Sequence, residues 1–154
     1  MTGESSSGSR PGPRPAVRNR LAGAIPHFRH VRADSMDDSG HLAAWQPNDP
    51  EHPEGVVLIN IEHPVLEAEV ERWTSMYAPS QAEQVASEVR QAYGELAVAK
   101  VAHSEQLAAI LPRDVIETEL RSGAAMTMAL LGLMGADAML SNRLKFRVGR
   151  RRTG

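Results

Sequence analysis

The strongest apolar run in the first half of the chain is "GVVLINI", Gly55 to Ile61, rich in β-branched residues and bounded by "PNDPEHPEG" and "EHP". It predicts a strand at 55–61 that is buried on both faces. "HLAAW" (His41 to Trp45) is its only obvious neighbour. Either a small antiparallel sheet forms with the 27–33 segment, or the strand completes a sheet belonging to another chain. "HFRHVRADSMDDSGH" has room for a short edge strand before its acidic Asp34 to Asp38 loop.

From Pro64 onward the spacing turns helical. Pro at a first helical position costs no hydrogen bond, and Leu66, Val70, Trp73 and Tyr77 mark one face. Ser80 and Glu83 form a capping-box pair that opens the longest predicted helix, to about Leu111. Its stripe is Ala82, Val85, Val89, Ala92 or Tyr93, Leu96, Ala99, His103, Leu107 and Ile110. That 3-4 alternation describes a helix–helix seam. Pro112 ends it, Asp114 and Glu117 cap a short helix, and Gly123 precedes "AAMTMALLGLMGADAML", Ala124 to Leu140.

This last segment, with a cationic flank, has the length of a membrane anchor. Its leucines (Leu130, Leu131, Leu133, Leu140) supply only roughly −2 kcal/mol of insertion energy, and Asp137 costs up to about +3 kcal/mol. A packing helix over 123–141 is the better reading. Ala124, Met128, Gly132 and Ala136 form a ridge of mostly small residues along which a neighbour can approach. Apolar residues all round predict a position at the centre of a bundle, or one sealed by a second subunit.

Composition sharpens this. Aromatics make up 4% of the chain and there is no Cys, which excludes disulfides, thiolate metal sites and a Cys nucleophile. A core of Ala, Leu, Val and Met suits packed helices. The expected fold is mostly α, a bundle of three to four helices with a small N-terminal β element. Residues 1–24 are expected to be a disordered basic tail, 40–146 the α-rich domain and 147–154 a basic C-terminal tail. No secretory stretch is visible, so a cytoplasmic location is expected.

Charge is strongly segregated. Residues 1–33 carry six arginines against Glu4, residues 142–154 six cations and no acid, and the stretch between them five cations against eighteen acids. The basic ends suit docking on the acidic body or on a polyanion, where Arg143, Lys145, Arg147, Arg150, Arg151 and Arg152 would neutralise phosphates.

Chemistry-bearing motifs are sparse. Glu62 and His63 sit at a strand-to-helix junction, where His63 is read first as a helix cap. His103 falls on the predicted seam, where a histidine is more often a hydrogen-bonded core residue than a catalyst. "DDSGH" (Asp37 to His41) has no ligand spacing, and no phosphate loop, nucleophile elbow or paired-histidine metal motif is present. No cofactor and no metal site is expected.

"INIEHPVL" (Ile59 to Leu66), followed by "YGELAVAKVAHSEQL" (Tyr93 to Leu107), resembles the region after the ATP-binding domain in some bacterial proteins of the gyrase, histidine-kinase and heat-shock-chaperone ATPase superfamily. Asn60, His63 and Pro64 carry the resemblance over at most about sixty residues. The nucleotide-binding part is missing, so the resemblance implies a partner or detached accessory module without ATP binding. The expected function is a non-enzymatic module that forms a homo-oligomer or binds a protein partner through Val89, Leu96, His103, Met128, Gly132 and Ala136. The alternatives are nucleic-acid or other polyanion binding through the basic ends, and a metal-dependent or acid/base enzyme using Glu62, His63 and His103. Membrane attachment is not expected, and no small-molecule substrate is identifiable.

Overall fold

A computed structural model describes residues 26–135 and 137–151. The basic tail expected over 1–24, Ala136 of the small-residue ridge and Arg152 of the basic end lie outside them. Among the described residues the fold is α-rich with one three-stranded sheet, in the order β1 (His27–Val31), β3 (Val56–Asn60), β2 (Ala43–Gln46).

The apolar run forms the central strand. Val56, Val57, Ile59 and Asn60 are buried, as expected for a strand covered on both faces. β2 pairs with it antiparallel, with Trp45 opposite Val57. β1 pairs with it parallel, with His27 opposite Val56 and Val31 opposite Asn60. One expectation is corrected here: the 27–31 segment joins the sheet in parallel, not antiparallel. With partners on both edges, β3 needs no strand from another chain.

Helix α1 (Pro64–Thr74) buries Leu66, Glu69, Val70 and Trp73. Helix α2 (Ala82–Leu107) starts after a 3-10 turn at Pro79–Gln81, and its N-cap Gln81 makes no side-chain cap bond, so the Ser80–Glu83 capping box is not formed. The predicted stripe holds through Val85, Val89, Ala92 and Tyr93 and then turns away. Burial passes to Ala97, Val98, Val101 and Ser104, while Ala99 and His103 are exposed. A 3-4 alternation averages 3.5 residues per turn and drifts about 20° per heptad against a straight helix. α2 packs along the sheet and α1, and its buried face follows the 3.6-residue period.

The predicted 123–141 helix is two helices, α3 (Gly123–Leu133) and α4 (Asp137–Arg147), bent by 76°. Gly135, at φ +122°, ends one, and Asp137 stands in the first turn of the next, where an acid favours the helix dipole. No single helix among the described residues is long and apolar enough to cross a membrane. α3 covers the edge of β2, with Thr127 Oγ1 accepting from Leu42 N at 2.9 Å. Met126, Leu130, Leu140 and Leu144 join Trp73, Tyr93 and Ile59 in one core.

The C-terminal residues are less free than a tail. Gly149 (φ +122°) closes α4, Gln84 Nε2 donates to Arg147 O and Gln81 Nε2 donates to Val148 O. The described part of the segment expected as a tail over 147–154 therefore docks on the start of α2.

Candidate functional site

The strand-to-helix junction is a tightly bonded corner. His63 is the N-cap of α1. Its Nδ1 accepts from Val65 N at 3.2 Å, which leaves Nε2–H to donate to Gly40 O at 3.2 Å. Asn60, 1% exposed, donates through Nδ2 to Ser39 O and His41 O and accepts at Oδ1 from Glu62 N. The Asn-x-x-His-Pro pattern thus collects three successive carbonyls of the "DDSGH" loop and starts a helix. Both His63 nitrogens are engaged, and the ring is buried.

Glu62 bonds Arg32 Nε at 2.9 Å and Ala33 N at 3.2 Å, and the Arg32 hydrogen bond holds its carboxyl below the usual range. His103 is exposed on α2 and makes no hydrogen bond to Glu62 or His63 among the described residues. The three residues of the acid/base alternative are therefore not joined in one bonded network.

The densest polar cluster is one the sequence reading passed over. Glu69, on the buried face of α1, accepts at Oε1 from Arg72 at 2.9 Å, Trp73 Nε1 at 3.0 Å and Tyr93 OH at 3.1 Å, and at Oε2 from Arg72 Nε. Arg72 reaches on to Asp137 at 2.9 Å, and that bond holds the Asp137 carboxyl below its ordinary range. One carboxylate thus ties α1 to α2, and Arg72 extends the tie to α4. The detectable signal was Glu69, Arg72 and Trp73 at i, i+3 and i+4. Both Glu69 oxygens are engaged, Oε1 by three donors and Oε2 by one, and the cluster binds the helices together.

Burial, and then the Glu69 charge, push the Tyr93 phenol well above its ordinary value of 10.0. The folded state keeps a proton that the unfolded chain loses from about pH 10 upward. Stability should therefore be unaffected by this group below about pH 10 and fall as pH rises beyond it. In urea titrations at stepped alkaline pH, Tyr93→Phe should show a shallower decline than wild type; identical slopes would contradict the assignment.

The basic candidates separate. Arg143 is spent on Glu88 at 2.9 Å and on Glu95, whose carboxyl its hydrogen bonds hold low. Arg151 donates to Ser141 Oγ, and its guanidinium lies 4.9 Å from the centre of the Trp73 ring. Lys145, Arg150 and Arg151 nonetheless line one pocket of about 280 Å³ beside Tyr77. Arg147 is in the last turn of α4.

The interface candidates separate too. Val89 is buried in the core and Leu96 half-buried against it. On α3 the buried face is Met126, Thr127 and Leu130, so the small-residue ridge points outward. Ala124, Met128 and Gly132 are exposed, Met128 at 69%, and a Cβ on Gly132 would meet nothing within 4 Å. The chain matches no protein-family model, no curated protein and no solved structure.

Proposed function

We propose that the chain is a self-associating module in which a second copy covers the outer face of α3. The carrying observation is the mismatch between what α3 is made of and what one copy buries. Between Gly123 and Leu133 the only side chain that is not apolar, besides glycine, is Thr127, and it faces inward. A helix apolar all round calls for burial all round, yet Ala124, Met128 and Gly132 are exposed. The face carries no charge with which to recognise a chemically different partner. Its i, i+4 row, with Ala124 and Gly132 on either side of Met128, fits the same row on a twofold-related copy, since the small residues leave room for the facing methionine. Met128 supplies an adaptable anchor in the middle of that row.

Light scattering coupled to size exclusion should give the mass of a dimer or larger across the micromolar range. Met128→Glu places an unpaired charge on the covered face and should weaken association by at least about tenfold. Because Met128 is exposed in one copy, its circular dichroism should be unchanged. A wild-type monomer throughout that range would overturn the reading, as would Met128→Glu and Gly132→Glu variants that associate as wild type does.

A further inference from the structure

We infer that His27, His52 and Glu54 form a binding site for one borderline transition-metal ion, with Zn²⁺ as its natural probe. The site is independent of the α3 surface. It is built by strand register. The parallel β1–β3 pairing sets His27 beside Val56, and so beside the turn that delivers β3. That turn carries His52 and Glu54. His27 Nε2 lies 3.0 Å and His52 Nδ1 3.6 Å from the same carboxylate oxygen, Glu54 Oε1. The two imidazoles stack with centroids 4.2 Å apart, and one donor atom from each of the three residues lies within 4.8 Å of the others.

With metal–donor bonds of about 2.0–2.2 Å, neighbouring donors in a tetrahedral site stand about 3.3–3.6 Å apart. The two histidine–carboxylate separations, 3.0 and 3.6 Å, bracket that edge. The two ring nitrogens stand within 4.8 Å of each other, and the imidazoles must turn out of their stack to converge on one ion. Two imidazoles and one carboxylate select zinc, cobalt, nickel or copper over magnesium or calcium, which favour all-oxygen shells. A half-exposed site with three protein ligands leaves a further position for water.

The turn is held in shape from behind. Asp49 Oδ1 accepts from Glu51 N at 3.0 Å and His52 N at 3.1 Å, its Oδ2 takes Arg29 at 3.4 Å, and Gly55 N donates to His52 O. Supported ligands of this kind lose less entropy on binding. Asp49 and Glu51 also approach His52 as a second donor set. Asp49 is committed to the turn and Arg29, and Glu51 is 80% exposed and drawn towards Arg29 as well, so the ion is assigned to His27, His52 and Glu54.

The test is isothermal titration of the full, untagged, chelator-treated chain with ZnCl₂. One ion per chain should bind saturably with a dissociation constant in the micromolar range or tighter. His27→Ala, His52→Ala and Glu54→Gln should each weaken it at least about tenfold, while Glu51→Gln and His103→Ala should leave it within about twofold. His27 is an exposed strand-end side chain and Glu54→Gln is conservative, so these two decide the matter even if His52→Ala disturbs the turn. Absence of saturable binding overturns the inference. So does unchanged binding in both His27→Ala and Glu54→Gln, or a loss in Glu51→Gln that His27→Ala does not share.

Discussion

Glu69→Ala is expected to lower the unfolding free energy by about 3–5 kcal/mol, a large share of the total for a domain of this size. The carboxylate accepts four hydrogen bonds from three residues, and its side chain is 8% exposed. Truncation strands the Trp73 indole N–H and the Tyr93 hydroxyl in the core, each at about 1–3 kcal/mol, and leaves the Arg72 guanidinium with Asp137 alone. The cost comes from the donors left behind more than from the ion pair lost. Glu69→Gln tests that account. It keeps the size and one acceptor but turns an amide N–H₂ towards a donor, so it should lie between wild type and Glu69→Ala in urea denaturation followed by circular dichroism. Glu62 also accepts two hydrogen bonds, but at an exposed site where water replaces lost partners, so Glu62→Ala should cost far less than Glu69→Ala. Equal losses at the two positions would remove the distinction.

Much of this fold is written locally. β3 was legible because a strand covered on both faces must be apolar throughout, and α1 because Leu66, Val70, Trp73 and Tyr77 repeat within four turns. What escaped was long-range or cumulative. β1 is an edge strand with the burial pattern exposed, half-buried, exposed, exposed, half-buried, which leaves no alternation to read. Its parallel pairing with β3 joins segments that no spacing rule connects. The far half of α2 departs from the 3-4 stripe because a small difference in period grows along a long helix until His103 and Ser104 exchange places. In the sequence Asp137 reads as a penalty to membrane insertion, and in the fold it marks, with Gly135, a helix boundary.

The candidate sites divide the same way. His63 as a cap followed from its place before Pro64. The spacing of Glu69 to Arg72 and Trp73 is visible in the sequence, but the burial of its carboxylate depends on Tyr93, twenty-four residues on and on another helix. The His27–His52–Glu54 cluster depends wholly on strand register.

Gly55→Val is expected to destabilise the fold by about 2–5 kcal/mol, for two separable reasons. Gly55 sits at φ +95°, where a β-branched side chain is strained by about 1–3 kcal/mol. A Cβ there would also stand 2.0 Å from Trp45 Cη2, inside any allowed contact, so the indole must leave its place on β2. Repacking of that kind costs about 1–3 kcal/mol. Trp45→Leu removes the obstructing ring without touching the backbone strain. In a double-mutant cycle by urea denaturation, Gly55→Val should therefore cost less in the Trp45→Leu background, and what remains is the price of the backbone conformation. The chain has only two tryptophans, and Trp73 is fully buried. Displacement of Trp45 should thus appear as a red shift in the emission of Gly55→Val itself. A full-sized loss with unshifted emission and an unchanged cost beside Trp45→Leu would place the whole effect in the backbone. Gly132→Ala, measured at a dilution where the α3 face is uncovered, supplies the contrast, since in one copy Gly132 has an ordinary helical conformation and open space beside it. A methyl group there should stabilise the helix by up to about 1 kcal/mol, so the penalty at Gly55 belongs to its place against Trp45 and not to glycine replacement as such.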